Sequence, residues 1–387
     1  MNFDEAFDRR GTNCWKWDGE GRAAELPMGC ADMDFRMMPE IAIALKEKID
    51  EGALTYPVTD NGAFEAFAAY FERHHGVSVD VEHIRYCFGM MCGYSLVLDA
   101  MTVPGDEVVV QSPVFDYFMD TAENAGRRIV DNPLVWSDET CRYEVDFEQL
   151  ECVLSRPRVK IMLVCNPMNP TGTGFRAEDL RRIFEMCVEH DVLLMSDEVH
   201  SEFYWHGAKH VSLLEFVPEV SDRCIVMTGP GKTFNIHGLY TSLFIIPNKD
   251  IREAYGVQFS RRHMDLNDLG MVAMKAAYEH GDAYVAEVHG YIAENLEVVE
   301  SFFKDRSCGV RVSPMEATYL VWLDFRAWEK TSEEVDALLR SHGLVISKGS
   351  NYGPGGEGFM RMDIATQRSN VERACEIIRA IYEDTIR

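Results

Sequence analysis

The chain has 387 residues, a length that can hold two domains or one large domain with a smaller one, and its 47% hydrophobic and 11% aromatic content is typical of a globular protein. The formal net charge of −26 argues against DNA, RNA or an anionic membrane surface as the main partner. The first residues lack the features of a signal peptide, and no apolar run reaches the ~18 residues of a membrane span. Eleven cysteines without metal-type spacing indicate reduced thiols. We therefore expect a cytoplasmic protein.

The first third of the chain contains two predicted helices after an irregular start. Residues 1–38 show no clear periodicity. Pro39 begins a helix, because Ile41, Leu45 and Ile49 recur at helical spacing. A second helix is predicted over residues 62–75. Tyr56 lies between the two helices and by itself is an ordinary turn aromatic.

The middle of the chain alternates short apolar strands with helices. The predicted strands are 108–111, 159–164, 192–195, 224–227 and 242–246, and the predicted helices are 94–101, 115–125 and 177–190. This order implies an α/β fold with a mainly parallel central sheet between layers of helices, and ligands at the carboxyl ends of the strands.

The last third changes character and predicts a smaller α+β domain. Residues 249–305 are predicted to form three helices. Strands are then expected at 309–312, 318–324, 344–347 and 359–364, with helices at 332–341 and 369–385. We interpret the glycine-rich loop at 352–358 as a turn between two of these strands. The predicted division is an N-terminal segment joining the small domain (1–40), a large domain (41–285) and a small domain (286–387).

Three polar motifs follow buried strands in a rare order. An Asn-Pro-Met-Asn-Pro-Thr-Gly turn covers residues 166–172, Asp197 ends the strand at 192–195, and Lys232 lies on a Gly-Pro-Gly turn after the strand at 224–227. For an arbitrary carboxylate and lysine, a structural ion pair would be the better interpretation. The ordered set instead resembles the fold-type I enzymes that depend on pyridoxal 5′-phosphate (PLP).

The resemblance extends over nearly the whole chain and is closest to the cystathionine β-lyase-like (MalY/PatB-type) C–S lyases of the class I/II aminotransferase superfamily. Besides those motifs, the matching segments are residues 8–13, 16–18, 31–35, 112–114, 197–201, 232–236 and 359–365. It implies a PLP-binding large domain with helices on both faces of the sheet, of which the strand at 242–246 would be the antiparallel member. It also implies a homodimer that acts on a small amino-acid substrate.

The resemblance assigns roles to individual residues. Lys232 would anchor the cofactor covalently and move the Cα proton of the substrate, and Asp197 would keep the pyridine nitrogen protonated. Glu198 points away by strand alternation and is expected to be structural. Asn169 would donate to the phenolic oxygen of the ring. His200 occupies a position that is tyrosine in many aminotransferases and histidine in the C–S lyases.

Further positions complete the expected cofactor and substrate sites. Phe115 would stack on the ring face. The backbone of Met90 and Met91, in a glycine-bracketed turn before a helix, would hold the phosphate. Tyr56 would reach the phosphate of the neighbouring subunit. Arg361 would grip the substrate carboxylate, with Tyr56 and Asn169 beside it.

Four positions depart from the family pattern, all around the expected pocket. Gly29 replaces a tryptophan, which we expect to widen or loosen the pocket wall. Gly229 and Gly231 stand where serines are usual, so Thr228 is the remaining candidate hydroxyl for the phosphate. His237 replaces a small residue five positions after the lysine and is expected to approach the cofactor.

The expected reaction is a PLP-dependent β-elimination from a sulfur amino acid, which releases a thiol, pyruvate and ammonia. An aminotransferase needs the same core residues, so the motifs leave that alternative open. A protein that keeps the fold but acts as a regulatory or binding partner is a third possibility. The presence of Asn169, Asp197, Lys232 and Arg361 argues against the third.

Overall fold

The computed structural model describes all 387 residues. Fifteen strands and twelve helices form the fold. The strands are β1 Leu26–Pro27, β2 Ile84–Cys87, β3 Glu107–Val110, β4 Arg128–Asp131, β5 Val135–Ser137, β6 Arg142–Glu144, β7 Val159–Cys165, β8 Leu193–Asp197, β9 Cys224–Thr228, β10 Ser242–Ile245, β11 Arg311–Val312, β12 Leu320–Asp324, β13 Leu344–Val345, β14 Ser347–Lys348 and β15 Phe359–Asp363.

The helices alternate with these strands in the first two thirds of the chain. They are α1 Pro39–Asp50, α2 Ala63–His75, α3 Met90–Met101, α4 Tyr117–Asn124, α5 Phe147–Leu154, α6 Ala177–Glu189, α7 Pro230–Thr233, α8 Lys249–Arg261, α9 Asp268–His280, α10 Asp282–Phe303, α11 Ser332–Ser341 and α12 Arg368–Ile381. No helix is both long enough and apolar enough to span a lipid bilayer.

The central sheet has seven strands in the order β2-β10-β9-β8-β7-β3-β4. Strand β10 pairs antiparallel with both of its neighbours, and the other pairs are parallel. The mainly parallel sheet with an antiparallel strand at 242–246 is therefore confirmed. The edge strands β2 and β4 were not predicted, because polar or partly exposed residues interrupt their apolar pattern.

Both faces of this sheet are buried, and the strand residues alternate between them. Leu193 and Met195 pack in one apolar cluster with residues of α3, α4 and α8, whereas Leu194 packs in the other with residues of α2, α6 and α9. Parallel strands covered on both faces read as continuous apolar runs because each side chain finds a helix to pack against. The prediction of helices on both faces is confirmed.

A second, smaller sheet has the antiparallel order β11-β12-β15-β14. Strand β1 pairs in parallel with β13 next to it, which ties the N-terminal segment to this part of the molecule. The strand predicted at 344–347 is two strands, since residues 344–345 pair with β1 and residues 347–348 pair with β15. The division at residues 40 and 285 stays a prediction, and its second boundary lies inside α10.

Candidate active site

Three parallel strands of the central sheet end side by side and define one edge. In register, Asp197 of β8 lies between Cys165 of β7 and Met227 of β9. The chain continues from Cys165 to Asn169 and from Met227 to Lys232. Because the carboxyl ends of parallel strands share one edge of a sheet, the turns after β7 and β9 deliver Asn169 and Lys232 on either side of Asp197.

Lys232 lies on the one-turn helix α7, which begins with Pro230 after the β9 strand. Its amine donates a hydrogen bond to the backbone oxygen of Ala31 at 2.7 Å and forms no salt bridge. Burial lowers the pKa of this amine, and the positive charge of Arg361 adds to the effect. A buried amine without a carboxylate partner gives up its proton more readily than a surface lysine does.

Asp197 is a buried carboxylate at the end of β8 with no cation in hydrogen-bonding contact. Its side chain accepts one hydrogen bond, from the backbone N–H of Val199 at 3.1 Å. Burial raises the pKa of Asp197 to about 7, although the charge of Lys232 opposes that rise. The site therefore holds a carboxylate that is available to a protonated ligand atom.

Glu198 is equally buried but fully partnered. It binds His210 at 2.9 Å, and it accepts hydrogen bonds from the Ser196 hydroxyl and the Leu213 N–H, both at 2.9 Å. Burial opposes its ionisation, but His210 outweighs burial and the pKa of Glu198 is lowered. These contacts support the expectation that Glu198 is structural.

Arg361 of β15 reaches the same edge from the smaller sheet. It donates to the Asn169 side-chain oxygen at 2.8 Å and to the Gly29 backbone oxygen at 2.6 Å. The guanidinium lies 5.0 Å from the ring centre of Tyr352, and its buried Nε has no partner. No carboxylate balances this charge, so the group is suited to a negatively charged ligand.

His200 completes the cluster at the sheet edge. Its ring is buried, lies edge-on to Tyr319 at 5.3 Å, and leaves Nδ1 without a hydrogen-bond partner. Burial, with the charges of Lys232 and Arg361, places the pKa of His200 well below its usual range. The imidazole is therefore neutral and can exchange hydrogen bonds with a ligand.

A glycine shapes the turn before α3, where we expect the phosphate to bind. Helix α3 begins at Met90, four residues earlier than predicted, because Gly89 adopts a left-handed φ of 83° and turns the chain straight into it. A Cβ at Gly89 would lie 3.2 Å from the Tyr240 ring. No side chain caps the helix, so the N–H groups of Met90 and Met91 are open to an anion.

Two other predicted residues lie at element ends. Thr228 is the last residue of β9, is buried, and its hydroxyl makes no hydrogen bond within the chain. Phe115 is half-buried before α4, with its ring 5.2 Å from Tyr117 and 5.5 Å from Phe118.

Tyr56 is not brought to this cluster within one chain. Its side chain is 86% exposed in the segment between α1 and α2.

The glycine departures coincide with close packing. A Cβ at Gly229 would lie 2.9 Å from the Thr241 oxygen of the neighbouring strand segment, so the absence of a side chain permits this approach. A Cβ at Gly29 would lie 3.3 Å from the Ser347 nitrogen. The wider pocket expected from Gly29 stays a prediction. What the structure adds is that the Gly29 carbonyl accepts hydrogen bonds from both Ser347 and Arg361.

Sequence reasoning missed the ion network that supports the site from the N-terminal segment. The buried Lys16 amine binds Asp34 at 2.8 Å and Asp363 at 3.1 Å. Arg9 binds Asp32 at 2.9 Å. The clustering of charged residues in an otherwise apolar motif at 31–35 was the available signal, but pairing over more than three hundred residues cannot be read from spacing.

These residues fit the expected PLP cofactor by the chemistry of their donors. An unpaired amine suits the aldehyde, a buried carboxylate suits a protonated ring nitrogen, and an uncapped helix start suits the phosphate. The buried nitrogens without partners on His200 and Arg361 show that the site has donors that the chain itself does not use.

Comparison with known proteins identifies the family. Residues 26–378 match the aminotransferase class I and II family. The cystathionine β-lyase PatB of Bacillus subtilis is 36% identical over 98% of this chain and 99% of its own length.

Two solved structures superpose closely. Cystalysin from Treponema denticola, which contains pyridoxal 5′-phosphate, has a TM-score of 0.94 with 26% identity, and 99% of each chain is covered. A PLP-bound putative aminotransferase from Clostridium difficile has a TM-score of 0.94 with 28% identity, covering 98% of this chain and 99% of the other. The predicted resemblance is confirmed: the chain belongs to the aminotransferase class I and II family and has the fold-type I architecture of its PLP-dependent enzymes.

Proposed function

We propose that the protein is a PLP-dependent C–S β-lyase that releases a thiol, pyruvate and ammonia from a sulfur amino acid such as cystathionine, cystine or cysteine. The observation that carries this proposal is the 36% identity with the cystathionine β-lyase PatB along practically the whole of both chains. The cluster of Lys232, Asp197, Asn169 and Arg361 supports it, because each of these side chains has the charge and partners that the reaction requires.

Lys232 anchors the cofactor and moves the proton at the substrate Cα. When bound, PLP withdraws electrons from the Cα of the amino acid and so makes that proton acidic. Burial lowers the pKa of the Lys232 amine. A larger uncharged fraction can then accept the proton at neutral pH.

Asp197 holds the proton on the cofactor ring nitrogen, and Asn169 binds the ring oxygen. The Asn169 side-chain oxygen is already occupied by Arg361, which leaves its NH₂ group free to donate. His200 lies beside them with an unpartnered Nδ1, and we assign it to the cofactor site as well. Phe115 covers one face of the ring.

Arg361 binds the α-carboxylate of the substrate. Its charge has no acidic partner in the chain, and its contact with Asn169 at 2.8 Å connects the carboxylate site to the cofactor site. The Tyr352 ring against the guanidinium restricts its orientation.

The phosphate is held by the N–H groups of Met90 and Met91 at the start of α3 and by the hydroxyl of Thr228. Glycines at 229 and 231 supply no hydroxyls there. Tyr56 provides the remaining contact from a second subunit. It lies between the exposed Leu54 and Val58, which a partner would cover.

We therefore propose a homodimer with shared active sites. Sedimentation at micromolar concentration would show a dimer, and an active monomer would refute the role of Tyr56. We also propose a cytoplasmic location, supported by eleven free thiols.

The test is pyruvate release from cystathionine without any keto acid. The purified protein should release pyruvate and thiol in equal amounts, and Lys232→Ala should release neither. Lys209→Ala, which removes an exposed lysine outside the site, is the matched control. Turnover of cystathionine only when a keto acid is added, with no release of thiol, would refute the lyase.

The second candidate is an aminotransferase, favoured by the structural match to the Clostridium difficile protein. It predicts amino transfer to an added keto acid with no loss of the sulfur group. A colourless protein that takes up no PLP would favour a regulatory or binding role instead.

A further inference from the structure

His237 lies beside the Lys232 turn and has no assigned role. It begins the short 3₁₀ turn His237–Leu239, five residues after the lysine. A Cβ at Gly231 would lie 3.4 Å from the His237 Cα and 3.5 Å from its Nδ1. The imidazole therefore packs directly over the residue that precedes Lys232, and a glycine there makes room for it.

Asp32 faces the other side of the imidazole. Its Oδ1 lies 3.9 Å from His237 Nε2, whereas its Oδ2 is occupied by Arg9 at 2.9 Å and by the Cys14 thiol at 3.5 Å. Oδ1 therefore remains available to His237. Asp32 also follows Ala31, whose backbone oxygen accepts the hydrogen bond from the Lys232 amine. Lysine, carboxylate and imidazole thus form one continuous cluster.

The imidazole keeps access to solvent and has no hydrogen bond that would occupy it. Its side chain is 37% exposed. Burial of the rest of the ring lowers the pKa of His237, the charge of Lys232 lowers it further, Asp32 opposes this, and Arg9 acts with Lys232. The charge of His237 in turn lowers the pKa of His200. The proton affinity of His237 is thus tied to the charge on the catalytic amine.

We propose that His237, oriented by Asp32, is the acid that protonates the departing sulfur of the substrate. This inference rests on the proposed C–S lyase function, since only a lyase has such a leaving group. Asp32 is a positioning residue in this account, because it acts through His237.

Burial and the charge of Lys232 lower the pKa of His237 to about 3, so the resting imidazole is neutral and acts as a relay: one ring nitrogen gives its proton to sulfur while the other takes a proton from solvent at the exposed edge. Lys232 then accepts the Cα proton and becomes positively charged, which favours proton release from His237. The C–S bond breaks, its electron pair leaves with sulfur, and sulfur takes the His237 proton to leave as a neutral thiol.

The first test compares leaving groups of different basicity in His237→Ala and His237→Gln. Cystathionine expels an alkyl thiolate that needs a proton, whereas β-chloroalanine expels chloride, which needs none. Both variants should lose on the order of 10²-fold in kcat for cystathionine and retain most of their activity with β-chloroalanine. His206→Ala, which removes an exposed histidine paired with Glu300, is the control.

Equal losses with both substrates would overturn the proposal, because a structural role does not distinguish leaving groups. If the unmodified protein releases pyruvate from β-chloroalanine but not from cystathionine, the lyase function itself fails and the His237 role fails with it. If cystathionine is cleaved and the variants cleave it normally, only the His237 role fails.

The second test does not depend on turnover. The pKa of His237, measured by NMR in the full-length cofactor-free protein, should rise on Lys232→Ala, because the nearby positive charge is lost. An unchanged titration would show that the two groups are not coupled and would overturn the proposal.

Discussion

Charged side chains are paired on one side of the active site and unpaired on the other. On the N-terminal side, Lys16 is paired with Asp34 and Asp363, and Arg9 is paired with Asp32. On the sheet side, the charges of Lys232, Asp197 and Arg361 have no ionic partners in contact. Buried charges in proteins are normally paired because desolvation is costly. The unpaired charges are therefore candidates for binding a ligand, whereas the paired charges stabilise the segment that packs against them.

The largest effect is expected at the unpaired amine. Lys232→Ala should reduce pyruvate release on the order of 10⁴-fold or more, because no other side chain can both anchor the cofactor and move the Cα proton. Its free energy of unfolding should stay close to that of the unmodified protein, since no ion pair is lost. Steady-state kinetics measures the loss of pyruvate release, and urea titration measures the free energy of unfolding. A large loss of stability in Lys232→Ala would show that the Lys232 charge supports the fold as the paired charges do.

The opposite result is expected on the paired side. Lys16→Met leaves Asp363 buried without a counter-charge and leaves Asp34 with Arg9 alone, at 3.3 Å, and should lower the free energy of unfolding by roughly 3–5 kcal/mol. Lys249→Met, which breaks an exposed surface pair with Glu253, is the control and should change stability little. Urea titration of both variants measures the difference. A stable Lys16→Met variant would show that the network is not a supporting structure.

Asp197 provides a test with a pH signature. Its pKa is raised from 3.8 to about 7, so the folded cofactor-free protein binds this proton more tightly than the unfolded chain does. The stabilising contribution is complete below pH 3.8 and is lost as the pH rises to about 7.

Asp197→Asn should therefore stabilise the cofactor-free protein at pH 8 by roughly 2–4 kcal/mol and much less at pH 5. It should also reduce turnover strongly, because the amide cannot stabilise a charged ring nitrogen. Thermal unfolding at the two pH values measures the first effect. A destabilised variant at pH 8 would show that the carboxylate is better partnered than the structure indicates.

Arg361→Lys should raise KM for the amino acid about 30-fold, or about 2 kcal/mol, because a lysine cannot form the two parallel hydrogen bonds of a guanidinium. Arg311→Lys, on the same small sheet but paired with Asp324, is the control. If both variants show the same KM, Arg361 does not bind the carboxylate.

The smallest effect is expected at the phosphate. Thr228→Val should weaken PLP binding about fivefold, near 1 kcal/mol, because one hydroxyl is lost among several backbone donors. Fluorescence titration of the cofactor-free protein gives the dissociation constant. An unchanged constant would assign the phosphate to the α3 backbone and the partner subunit alone.

The sequence predicted the parts of this structure that depend on local pattern. The buried strands and the positions of Asp197 and Lys232 follow from apolar runs that end in polar turns, whereas the antiparallel direction of the strand at 242–246 was implied only by the family resemblance. The expectation that Glu198 is structural followed from strand alternation alone. These features are set by residues close to one another in the chain.

The parts that it could not predict depend on contacts between distant segments. Lys16 meets Asp363 across 347 positions, and the residue that orients Arg361 is Tyr352, in a loop interpreted only as a turn. The start of α3 at Met90 rather than residue 94 depends on the backbone of Gly89, which local hydrophobicity does not report. Which charged residues are paired, and which are not, therefore could not be predicted from the sequence and is known only from the folded structure.

Borohydride reduction of the coloured protein, followed by peptide mapping, tests directly whether Lys232 holds the cofactor. Reduction fixes the cofactor to whichever amine holds it. A phosphopyridoxyl group should appear on Lys232 alone, with Lys16 and the surface lysines unmodified. A label on another lysine, or none in a protein that has bound PLP, would rule out Lys232 as the residue that holds the cofactor.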